Sequence, residues 1–115
     1  MSFDWKDYVY LAEDLLTRAE ESYLRSSISR AYYGVFCIAR NKKSYKVYQG
    51  PDVHRQVITT YKNSVNKNEQ NIGQILDNLR RSRNIADYNE DKLINKQLAT
   101  RVVIKAKVIL SNLGV

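Results

Sequence analysis

Three arginines, Arg80, Arg81 and Arg83, stand within four consecutive positions. Their planar guanidinium forks suit the oxygens of a phosphate. Arg83 is the most informative of them. It follows Leu79 by four residues and Leu76 by seven, which places it on the apolar face of a helix. A charge on that face must reach solvent, pair with a carboxylate, or hold an anion, because a buried unpaired charge is costly. Asp87, one turn further on, is one candidate partner. Glu13 or Asp14 on the first helix could also reach it across a bundle. If Arg83 holds an anion instead, Arg80 and Arg81 extend a basic patch around it.

His54 is the only histidine, and its ordinary pKa alone suits general-base work near neutral pH. It falls in the first turn of an expected helix, where the helix dipole disfavours the imidazolium. It reads as an exposed or capping residue, or as a neutral ring available to a substrate. Cys37, the single cysteine, lies at helical spacing from Tyr33 and reads as a small buried hydrophobe or as a nucleophile. No glycine-rich phosphate loop, cysteine pair or histidine cluster occurs, so neither a metal nor another cofactor is expected.

The elements that must position these groups are helices. One proline and four glycines in 115 residues leave few breaks. A first helix is expected to begin after Ser2 or Asp4 and run to about Glu20, with Trp5, Tyr8, Val9, Ala12, Leu15 and Leu16 among its apolar positions. A second runs from about Ser22 to Lys43. It has one stripe of Leu24, Ile28, Ala31, Val35 and Ile38, and a neighbouring stripe of Tyr23, Ser26, Arg30, Tyr33 and Cys37. So wide a face of low charge predicts the most buried helix. Tyr45–Gly50 reads as a loop, and Pro51 and Asp52 open a third helix with Val53, Val57, Ile58, Tyr61 and Val65 inward. Asn66–Asn71 reads as a polar connection. A fourth helix carries Ile72, Ile75, Leu76, Leu79, Arg83 and Ala86, and a fifth carries Leu93, Ile94, Leu98, Val102, Ala106, Ile109 and Leu110. Asn89 or Asp91 is the expected cap of the fifth. The expectation is one domain over 1–115, an all-α, five-helix up-and-down bundle.

Charge is uneven along this frame. Residues 1–21 hold a net −4, against +7 for the whole chain, which leaves +11 on the other 94 residues. A basic body favours a polyanion such as nucleic acid, and nine tyrosines supply rings that can stack on bases or pack in cores. No secretory leader and no apolar run long enough to span a bilayer are read, so a cytoplasmic protein without membrane attachment is expected.

Two segments carry a family resemblance. Ser29-Arg30-Ala31-Tyr32-Tyr33-Gly34-Val35-Phe36 resembles the SRAYY segment of HEPN-domain proteins. Leu79-Arg80-Arg81-Ser82-Arg83-Asn84-Ile85-Ala86-Asp87-Tyr88 resembles their LRxxRNxADY segment. His54 falls where related members often carry a histidine early in the third helix. The resemblance spans nearly the whole chain. It implies a HEPN-like helical bundle that forms a homodimer and acts in RNA biology, commonly in toxin–antitoxin or anti-phage defence systems. It also implies a minimal nucleotidyltransferase as a protein partner. Catalytic members are metal-independent ribonucleases whose motif is arginine, four to six residues, then histidine. In the dimer, the two motifs face a shared cleft.

Arg83 and Asn84 match the start of that motif, but Tyr88 stands at its histidine position. A phenol with an ordinary pKa near 10 is a poor base at neutral pH. The leading expectation is therefore an RNA- or nucleotide-binding protein with a degenerate ribonuclease motif, contacting its ligand through Arg80, Arg81, Arg83, Asn84, Arg30 and Tyr33. An active ribonuclease using Arg83 with Tyr88 or His54 is one alternative. A dimeric interaction module for a nucleotidyltransferase, using the Tyr23, Ser26, Arg30, Tyr33 and Cys37 stripe, is the other.

Overall fold

The computed structural model describes residues 2–43 and 48–115, which form five helices. They are α1 (Lys6–Leu15), α2 (Glu21–Lys42), α3 (Val53–Lys62), α4 (Lys67–Tyr88) and α5 (Lys96–Leu113). No strand occurs among the described residues, so the all-α, five-helix class read from periodicity is the one found. No helix among them is long and apolar enough to cross a membrane.

α2 is the axis of the fold and packs against the other four helices. Twelve of its residues are buried, among them Ile28, Tyr32, Val35 and Phe36, as its wide low-charge face predicts. Against α1 the two backbones come close at Gly34. A Cβ there would stand 2.9 Å from the Trp5 carbonyl oxygen and 3.1 Å from the Tyr8 Cβ, so only glycine fits without movement. Ser27 lies beneath the same contact and donates to the Ala12 carbonyl at 2.7 Å. This satisfies a buried hydroxyl inside an apolar seam.

Helix directions follow from who meets whom. Along α2, Arg25, Ser29 and Tyr32 meet Asn89 at the end of α4 and then Asp87 and Arg83 within it, in descending order, so these two helices are antiparallel. By contrast, Tyr32 meets His54 and the Ala39 carbonyl meets the Tyr61 hydroxyl, in ascending order on both helices. α3 therefore runs parallel to α2, and the expected strict up-and-down alternation breaks once. That break sets the first turn of α3 beside the middle of α2.

Several boundaries differ from expectation. α1 stops at Leu15 rather than about Glu20. The Thr17 hydroxyl takes the Asp14 carbonyl at 2.8 Å, and Arg18 turns aside to pair with Glu20 at 2.7 Å. Asn66–Asn71 is not a connection. Asn66 caps α4 by accepting from the Glu69 backbone N–H at 3.0 Å, and Glu69 is held by Lys43 and Ser64. The cap of α5 is Asn95, which accepts from the Leu98 N–H at 2.9 Å, and neither Asn89 nor Asp91. Val65 lies beyond the end of α3 and is fully exposed, and Leu93 is also exposed while its neighbour Ile94 is buried. Of the loop expected over 45–50, residues 45–47 lie outside the described residues.

Candidate anion-binding site

Arg25, Ser29, Tyr32 and Phe36 recur at helical spacing and form a third stripe on α2, aimed at α3 and α4. Each meets a polar or aromatic group. The Arg25 guanidinium donates to the Ile85, Ala86 and Asn89 carbonyls at 3.2, 2.9 and 3.0 Å and to the Lys92 carbonyl. It also pairs with Glu21 at 2.9 Å. A cation against the last carbonyls of α4 complements that helix end, and it fixes the loop leading to α5. Glu21 completes the staple by accepting from the Ile94 N–H at 3.1 Å. That backbone bond, followed by the Arg25 contact, holds the Glu21 carboxyl below the usual range.

Ser29 and Tyr32 meet the other end of the seam. The Ser29 hydroxyl donates to Asp87 at 3.1 Å, and Asp87 stands 3.6 Å from Arg83 Nε. The Asp87 alternative for Arg83 is thus the one realised. Glu13 pairs instead with Lys107. Arg83 lies over the Tyr32 ring, with 5.5 Å from its central carbon to the ring centroid. Its side chain is 17% exposed, and Nη1 donates to the Asn84 amide oxygen at 2.9 Å. Among the described residues, Nη2 has no protein acceptor.

His54 joins this group through α2. Its Nδ1 lies 2.7 Å from the Tyr32 hydroxyl, and its ring stacks on Phe36 with centroids 4.0 Å apart. Burial, then the nearby Arg83 and Arg80 charges, push its pKa down from the ordinary value to about 4, so the ring is neutral at pH 7. Burial pushes the Tyr32 phenol up. We assign the phenol as donor to Nδ1, which leaves the imidazole proton on Nε2. The geometry therefore presents an imidazole N–H donor more readily than a base.

Arg80 acts on both His54 and Tyr32, yet among the described residues it makes no ion pair. Arg83, Arg80, His54 and Tyr32 thus form one cluster, drawn from three helices, in which positive charge exceeds its compensation. Arg81 is not part of it. It points to the far side of α4 and pairs with Asp77 at 2.9 Å, a carboxylate also held by Lys62 at 2.5 Å.

The remaining expected site residues lie elsewhere. Tyr88 is five residues beyond Arg83, about 140° around the helix, and is 76% exposed. It lines a hollow of about 620 Å³ with Glu21, Arg25, Asp87 and Glu90, whose carboxylates outnumber its cation and disfavour an anion. Arg30 and Tyr33 face α1. Arg30 lies 4.8 Å from the Tyr8 ring centroid, and Tyr33 packs edge-on against Trp5 at 5.6 Å. Cys37 is buried, and burial pushes its thiol up, which suits the small-hydrophobe reading and not a nucleophile. No group of three or more His, Cys, Asp or Glu among the described residues is placed to hold a metal ion.

Comparison with protein-family models, curated proteins and solved structures finds no match. The chemistry of this chain rests on its own residues. Sequence spacing located Arg83 and suspected His54. It did not find Tyr32 as their link: Tyr32 stands in the SRAYY-like segment, but no local spacing ties it to partners on α3 and α4.

Proposed function

We propose that the protein binds RNA or a nucleotide as a HEPN-like protein of a toxin–antitoxin or anti-phage defence system, with little or no nuclease activity. The observation that carries the reading is two guanidiniums, Arg80 and Arg83, with Asp87 as the one carboxylate paired to them among the described residues, beside a neutral imidazole donor. Two guanidiniums one turn apart can each contribute charge-assisted bonds to phosphate oxygens. The tyrosine at the motif's histidine position faces away from this pair, which argues against the usual acid–base partner. The two matching sequence segments supply the family, the homodimer and the nucleotidyltransferase partner as parts of the same proposal.

Binding should be salt-sensitive, as phosphate contacts are. The test is binding of a labelled single-stranded RNA over a salt series. Equal affinity of wild type and Arg83→Ala would remove the proposed site.

A second reading is favoured by one observation, the joining of His54 to Arg83 through Tyr32. On it, the same cluster cleaves RNA slowly without metal, Arg83 stabilising phosphate charge and His54 handling the proton of the 2′-hydroxyl. Cleavage in chelator that disappears in both Arg83→Ala and His54→Asn supports this reading, and cleavage retained in either excludes it.

A further inference from the structure

We propose that the site takes up its phosphodiester together with one proton, held by His54, so that an imidazolium becomes the third cationic donor beside Arg80 and Arg83. The inference rests on the binding function above and deepens it. The groups facing the ring define its two states. From α2 come the Tyr32 hydroxyl on Nδ1 and the Phe36 ring on one face. From α4 come the charges of Arg83 and Arg80. Asp87 is shared between Ser29 and Arg83, and Asp77 is held by Lys62 and Arg81. On α3 and its cap, Arg55 and Asp52 are both exposed. Cys37 reaches the cluster only through Tyr32. Among the described residues no carboxylate pairs with the imidazole, and Nε2 has no partner.

Without an anion beside it, the ring loses its proton to burial and to two guanidiniums. A phosphodiester seated against those guanidiniums cancels the second cause and adds a negative charge near the ring. An opposite charge within about 4–6 Å favours the charged form by one to three pH units. The proton comes from solvent onto Nδ1. The Tyr32 hydroxyl rotates to accept Nδ1–H, so the 2.7 Å contact survives with its roles reversed. Nε2–H is then a charge-assisted donor to a phosphate oxygen. Linkage makes the effect reciprocal, so acid must tighten binding as much as binding raises the His54 midpoint.

The experiment uses untagged protein, in which His54 is the only histidine signal. The probe is an oligouridine with hydroxyls at both ends, because neither uracil nor a diester titrates near the histidine. Proton NMR of the imidazole should give a midpoint of about 4 for the free protein and about 6 with saturating oligouridine. Affinity should be about tenfold tighter at about pH 5 than at about pH 7.5. In His54→Asn, whose amide can still meet the Tyr32 hydroxyl, the ratio of those two affinities should fall to about one. An unchanged midpoint with pH-independent binding overturns proton uptake and leaves the binding site standing. Tightening that persists in His54→Asn assigns the proton to another group and overturns the inference. No binding by the wild type at either pH overturns the binding function itself.

Discussion

The Tyr32 hydroxyl and His54 Nδ1 stand 2.7 Å apart, and this one contact joins the middle of α2 to the first turn of α3. Tyr32 also lies under the Arg83 guanidinium, so a single fully buried ring positions groups from two other helices. Tyr32→Phe keeps the ring and removes the hydroxyl, leaving Nδ1 without its donor. The expected cost is about 1–2 kcal/mol of stability, read by urea denaturation. It should also come with weaker RNA binding, because His54 loses its anchor.

His54 gives the folded protein a distinct acid sensitivity. Its pKa lies at about 4 in the fold, below the ordinary value of about 6.5. Unfolding therefore takes up a proton between those values, and acid favours the unfolded chain. Stability should fall on the order of 1 kcal/mol between about pH 7 and about pH 5, discounted for the ring's partial exposure. The carboxyls of Glu21, Glu69 and Asp77, held low by their partners, add losses only at still lower pH. Thermal melts across this range should show the slope in wild type and lose it in His54→Asn.

Arg25 carries more of the fold than a surface ion pair. It holds the carbonyls at the end of α4 and those of the loop before α5, besides Glu21. Arg25→Ala strips several carbonyls of their donor at once. Stability should drop by about 2 kcal/mol, and hydrogen exchange should speed first over residues 89–95. Uniform exchange across the chain would contradict the stapling role.

Gly73 marks a close approach of α3 and α4. A Cβ there would stand 2.6 Å from the Lys62 backbone N and 2.9 Å from its Cγ. Alanine normally gains up to about 1 kcal/mol over glycine inside a helix. Here the backbone must move, so Gly73→Ala should lose about 1–3 kcal/mol net, measurable as a lower denaturation midpoint.

Apolar periodicity made five helices legible, because Leu76 and Leu79 on α4, or Val102 and Ile109 on α5, recur at the spacing of one buried face. Polar positions were less readable. Asn66–Asn71 looks like a connection until the Asn66 cap and the Glu69 partners are seen. Ser29 and Arg25 gave no hint of a third inward stripe, since polar seams are fixed by partners distant in sequence rather than by period. Arg83 was legible because its face contradicted its charge. Arg81 differs from it by two positions, enough to turn it to another side and another carboxylate. No local pattern shows that α3 runs parallel to α2, which is what brings His54 to the cluster.

The most direct test compares two substitutions that remove the same charge from the same helix. Arg83→Ala and Arg81→Ala each lower the net charge by one, but only Arg83 belongs to the cluster with Tyr32 and His54. Affinity for a labelled single-stranded RNA should be measured for both at matched salt, with circular dichroism confirming the fold. Arg83→Ala should bind about tenfold or more weakly than wild type, as the loss of a charge-assisted contact implies. Arg81→Ala should stay within about twofold, the effect of a screened surface charge. Equal losses in the two variants, or none in Arg83→Ala, would contradict the site.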